Sequence, residues 1–98
     1  MKHYRFHRQA EAEFAEAAQH YAEKSPALGV RFYITIMELI HEVREAPQRY
    51  RVIQSPCRRH FRLPFPYAVI YIERPDDVFI VAVSPFKREH GYWRDRLK

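Results

Sequence analysis

The sequence predicts an α+β fold: an antiparallel sheet packed on an α-helical hairpin, in the order β–α–α–β–β–β, with a short basic C-terminal tail. Three observations carry this expectation. Residues 10–46 hold two apolar stripes at helical spacing, joined at Ser25-Pro26. Residues 67–74 and 78–84 are apolar, β-branched and aromatic runs, parted by the polar break Pro75-Asp76-Asp77. Ninety-eight residues with 47% hydrophobic content suffice for one domain, spanning residues 1–98, with a modest core.

Taken in order, residues 3–6 (HYRF) alternate as a short strand. From Gln9 the period changes. Ala10, Phe14, Ala17, Ala18 and Tyr21 fall on one face of an amphipathic helix that ends near Lys24. Glu11, Glu13 and Glu16 sit near its start, where the helix dipole favours anions. Ser25 suits an N-cap and Pro26 the first helical position, so a second helix runs to about Ala46 and stops at Pro47. Leu28, Phe32, Ile36, Leu39 and Val43 form its stripe, broadened by Ile34 and Ile40. The junction is so short that the two helices fold back as an antiparallel hairpin. Residues 47–57 are expected to be a loop between Pro47 and Pro56. Strands follow at about 58–64, 67–74 and 78–84, antiparallel because their connections are short. Residues 67–72 are apolar on both faces, which marks a central strand. The tail from Phe86 is expected to make one helical turn near 91–96.

Composition narrows the function. Two Gly argue against a Gly-rich phosphate loop, and no Walker loop, dinucleotide fingerprint or Gly-x-Ser-x-Gly is present. The lone Cys57 excludes an intrachain disulfide and a multi-Cys zinc site, and suits a reducing cytosol. His3, Arg5, His7 and Arg8 interrupt the first apolar positions, so no signal peptide is expected. No run approaches the ~18 apolar residues of a membrane span. A cytoplasmic protein without membrane contact is the expectation. Glu38-x-x-His41 has the spacing of one half of a di-iron site, but no second such pair exists. His3 and His7 would lie ~13 Å apart in an extended segment, too far to share an ion. No metal or cofactor is therefore expected.

The net charge of +5 is unevenly spread. Residues 44–62 hold six Arg against Glu45 alone, and residues 86–98 hold five Lys/Arg against two acids. Such patches attract polyanions or acidic proteins.

With these residues in place, the chain resembles the RelE/ParE superfamily of small toxins from type II toxin–antitoxin (plasmid stabilisation) modules. The resemblance spans nearly the whole chain. It rests on the first helix ending in Tyr21, the second closed by Pro47, and the basic run Arg58-Arg59-His60-Phe61-Arg62. It continues through Phe65-Pro66-Tyr67-Ala68-Val69-Ile70-Tyr71 and Ile80-Val81-Ala82-Val83, and ends with Lys87-Arg88 and Gly91-Tyr92-Trp93-x-x-Arg96. The RelE-like branch cleaves messenger RNA on the ribosome, and the ParE-like branch poisons DNA gyrase. The ending GYWRDR is more similar to the ParE-like branch, and a third reading is a protein of this fold that has lost toxicity and serves only as a binding module.

Both branches leave candidates in this chain. Metal-free RNA cleavage needs a base for the 2′-OH, an acid for the leaving 5′-oxygen and cations for the phosphorane. Arg59, His60, Arg62, Lys87, Arg88, His90 and Tyr92 are the groups on offer. By similarity, Arg59 and Lys87-Arg88-Glu89 stand where nuclease-branch toxins carry working residues. Ala68 departs from the Arg common after the tyrosine at Tyr67, and Ser84-Pro85-Phe86 replaces an Arg-rich run. Under the gyrase reading no residue is catalytic, and Arg58, Arg59, Arg62, Lys87, Arg88, Tyr92, Trp93 and Arg96 are the target-binding candidates. Each also has a plain structural reading. The arginines suit a solvated strand edge, His60 an ordinary strand histidine, and Tyr92 and Trp93 anchors for the tail. The resemblance further implies a cognate acidic antitoxin that folds on binding, with a groove between hairpin and sheet to receive it.

Overall fold

The computed structural model describes residues 1–97. Strand β1 (His3–Phe6) leads into helix α1 (Arg8–Lys24), and helix α2 (Pro26–Glu45) follows after a single residue. That residue, Ser25, closes one helix and opens the next. Its N–H donates to Tyr21 O (3.0 Å), its hydroxyl accepts from Leu28 N–H (3.4 Å), and its carbonyl accepts from Gly29 N–H (3.1 Å). Phe32, Ile36, Leu39, Ile40 and Val43 are buried along α2. Ile34, expected on that stripe, is 49% exposed. Two residues along a helix turn through about 200°, so Ile34 points away from Phe32 and Ile36.

Four further strands complete the sheet: β2 (Arg51–Gln54), β3 (Cys57–Phe61), β4 (Tyr67–Glu73) and β5 (Asp77–Pro85). Their order across the sheet is β1-β5-β4-β3-β2. Two points correct the sequence-based expectation. Residues 51–54, expected as loop, pair antiparallel with β3 through Arg51–Arg59 and Val52–Arg58. The sheet is also mixed, because β1 runs parallel to β5, with His3 opposite Asp77 and Phe6 opposite Ile80. No tight turn joins β1 to β5, so nothing local forces them antiparallel. The tail forms turns and a terminal 3-10 turn at Arg94–Leu97.

The helices cover one face of the sheet. Phe14, Phe32, Ile36, Leu39, Ile40 and Val43 pack there against Val69, Tyr71, Val78, Ile80 and Val83. Tyr21, Phe32, Phe65 and Tyr67 close one end with ring centroids 4.9–6.1 Å apart. The opposite face is apolar too: Cys57, Ala68, Ile70, Val81 and Ala82 are covered by Trp93, which is only 2% exposed. Residues 67–72 thus have the two buried faces expected of a central strand. Register slips by one residue at Val81, since Ile70 faces Ala82 while Tyr71 faces Ile80. No helix among the described residues is long and apolar enough to cross a membrane.

Candidate functional site

Successive strand residues point to opposite faces, and this divides the basic run Arg58–Arg62 in two. Cys57 belongs to the tail-covered face, and Arg59 lines a cleft on that side. His60 and Arg62 reach the helices. His60 Nε2 lies 2.6 Å from Glu42 Oε1, and its ring stacks on Tyr50 at 3.7 Å. Arg62 grips both Glu42 oxygens (2.7 and 2.6 Å) and reaches Glu38 at 3.3 Å. Burial lowers the His60 pKa, and this outweighs the upward pull of Glu42. At neutral pH the imidazole is therefore uncharged and donates Nε2–H to the carboxylate. Burial pushes Glu42 up, but hydrogen bonds from His60 and Arg62 outweigh it and hold the carboxyl below its ordinary value. Arg58 donates to the carbonyls of Gln48 (3.2 Å) and Tyr50 (2.8 Å), tying down the segment that leads into β2. This half of the run is a brace between sheet and α2.

The tail is organised by one carboxylate. Glu13, on α1, accepts from the Tyr92 hydroxyl (2.7 Å), from Arg88 (3.3 Å), from both terminal nitrogens of Arg96 (2.9 Å each) and from Val83 N–H (3.1 Å). Arg88 also lies 3.6 Å from the Tyr92 ring centroid, a cation–π contact. Burial, reinforced by the charge of Glu13, pushes the Tyr92 phenol up to about 12. Hydrogen bonding to Glu13 raises Arg96 above its ordinary value.

Arg59, Arg88 and His90 rim a cleft of about 260 Å³ whose floor is Ala68, Ile70 and Trp93. The Arg59 guanidinium lies over Phe61, 5.3 Å from its centroid. A second cavity of similar size lies between α1 and the end of β5, lined by Glu13, Glu16, His20, Tyr67, Lys87 and Arg88. Pro85 and Arg88 line both. An apolar floor under a cationic rim can hold a flat or aliphatic group bearing negative charge.

The structure thus brings Arg59 and Arg88 together, with His90 beside them. Lys87 faces the second cavity, His60 and Arg62 join Glu42, and Arg58 serves the loop. Tyr92 and Arg96 are pinned by Glu13, and Trp93 is buried as an anchor. Glu38 pairs with Arg62, and His41 lies 3.6 Å from Glu45, so the Glu38-x-x-His41 spacing is put to other uses. Burial pushes the Cys57 thiol up to about 11, which keeps it protonated and unreactive. Sequence reasoning missed Glu13 and Glu42 as organising residues. Nothing in a helical carboxylate's neighbours announces partners some 20 to 80 positions away.

No curated protein gives a significant match to the chain. The family model described as "ParE toxin of type II toxin-antitoxin system, parDE" matches residues 4–89, from β1 to the first residues of the tail. With nearly all of the sequence matched, and with two helices on one face of a sheet in the expected order, the chain belongs to the ParE toxin family of type II toxin–antitoxin systems.

Proposed function

We propose that this toxin acts in the cytoplasm by binding a macromolecular target, DNA gyrase, and that a cognate acidic antitoxin neutralises it. One observation carries the choice of binding over catalysis: His60 and Tyr92, two of the candidate proton-transfer groups, are each held by a carboxylate of their own. His60 is engaged by Glu42 under the helices, Tyr92 by Glu13, and Arg59 lies across the sheet from His60. A base and an acid must flank the same phosphate, within hydrogen-bond reach of it. What remains accessible is a cationic surface around Arg59, Lys87, Arg88 and His90, suited to recognition and to charge-steered association. The same surface, with the groove between α1 and the sheet, suits an acidic antitoxin.

The test is a plasmid assay with purified gyrase and ATP. Linear DNA should accumulate after denaturation only when toxin and gyrase are both present, and Arg88→Ala should reduce it. A ribonuclease reading keeps one specific support, the meeting of Arg59, Arg88 and His90 in a single cleft. Intact plasmid beside transcripts cut in a translating extract, with the cutting abolished by Arg88→Ala, would replace the first reading by the second.

A further inference from the structure

The outer edge of β5 is only half covered. Pairing with β1 ends at Phe6 opposite Ile80, and His7 N–H donates to Ile80 O (2.8 Å) as the last contact of that ladder. Beyond it, Val81 and Val83 are fully buried, so their backbone groups need partners other than water. Two side chains supply them. Glu13 accepts from Val83 N–H (3.1 Å), and Arg96 donates to Val81 O (3.1 Å) while pairing with Glu13 through both terminal nitrogens. Acceptor and donor stand side by side, as a strand residue would present its carbonyl and its N–H. Both are well shielded: the Arg96 side chain is 8% exposed and that of Glu13 14%.

We propose that the Glu13–Arg96 pair continues the sheet where β1 runs out, and that Glu13 is thereby the positioning residue of the target-binding tail. The proposal rests on the binding function argued above. Each partner is needed for the other. Without Glu13, Arg96 is a shielded cation facing a carbonyl, and Val83 N–H is orphaned. Without Arg96, Glu13 is left with the tyrosine, Val83 N–H and the half-exposed Arg88 as its only cation in hydrogen-bond reach among the described residues. Because Tyr92 and Arg88 converge on the same carboxylate, its loss frees the tail at three points. It also loosens the rim that Arg88 and the floor that Trp93 give to the Arg59 cleft. A charge on the helix dipole would do none of this, which separates Glu13 from Glu11 on the same helix.

Trp93 is the only tryptophan in the chain and is the tail residue buried against the sheet, so its fluorescence reports tail seating directly. Acrylamide quenching of Trp93 is measured in the full chain for Glu13→Gln, Arg96→Gln and the double variant, with Glu11→Gln as control. Either single change should raise the population with Trp93 exposed about tenfold or more, and the double variant should add little, as for two halves of one interaction. Plasmid linearisation by gyrase should fall with the same variants, while Glu11→Gln moves neither signal. Quenching equal to the parent chain, or effects that simply add, overturns the paired latch whatever the target. Quenching that rises while linearisation persists overturns the positioning role. If the parent chain itself linearises nothing, the gyrase reading fails and the positioning role falls with it, while quenching alone still decides the latch. Arg96→Gln, outside both helices and the sheet, keeps the test valid if Glu13→Gln does not fold.

Discussion

Replacing Gly29 by alanine sets two known effects against each other. Gly29 is buried in α2 where it crosses α1 near Ala22. Glycine inside a helix is less favourable than alanine by about 1 kcal/mol, so on propensity alone Gly29→Ala would stabilise. The packing opposes this. A Cβ at position 29 would stand 2.7 Å from Ala22 Cβ, 2.8 Å from Ala22 Cα and 3.0 Å from Ala22 N. Two of these are backbone atoms, so no rotamer change relieves the contact and the hairpin must open. Over-packing of this kind costs about 1–3 kcal/mol, and the backbone contacts place it at the upper end. The net loss is then about 1–2 kcal/mol, or roughly 4–15 °C in Tm for a domain of this size. Thermal melting followed by far-UV circular dichroism measures it. Ala22→Gly in the same chain should recover only part of the loss, because the Cα and N contacts remain. A Tm for Gly29→Ala at or above that of the parent chain would refute the close helix crossing.

Three further outcomes follow from the geometry. Tyr71 is fully buried and donates to Pro47 O (2.8 Å), so Tyr71→Phe should orphan that carbonyl and cost about 1–2 kcal/mol in urea unfolding. Tyr71 and Tyr92 are both pushed up to about 12, chiefly by burial, against about 10 in the unfolded chain. Their contribution is complete below pH ~10 and is lost as pH rises toward 12, so unfolding free energy should fall across that window. The fall should be shallower in Tyr71→Phe/Tyr92→Phe; equal slopes would contradict the burial. Glu42 pulls the His60 pKa upward against burial, so Glu42→Gln should move it further below its ordinary value, as read by NMR titration of the imidazole; a rise would show that Glu42 does not face the ring.

The helical half of this protein was legible because its signals are local. The stripes at 10–21 and 28–43 and the Ser25-Pro26 junction each act within a few residues, and each appears in the structure as expected except that Ile34 turns outward. Two strands were less legible. Arg51–Gln54 is an edge strand, half-exposed and without alternation, made a strand only by its pairing with β3. His3–Phe6 reads as a strand, but its parallel partner lies beyond both helices and three strands. In the site, the tail aromatics were readable as anchors, and Trp93 is one. That Arg59 and His60 part company was also readable, since strand residues alternate. The roles of Glu13 and Glu42 were not, because each is defined by partners that only the folded chain brings near.

The alternation along β3 has a practical consequence for genetics. An alanine scan through positions 58–62 would sample two unrelated surfaces in turn, one after every step. Substitutions at even positions should register as weakened chains that recover at lower growth temperature, and those at odd positions as well-folded proteins with altered recognition. A phenotype map that rises and falls with residue parity would be the expected pattern, and averaging over the basic run as one patch would erase it.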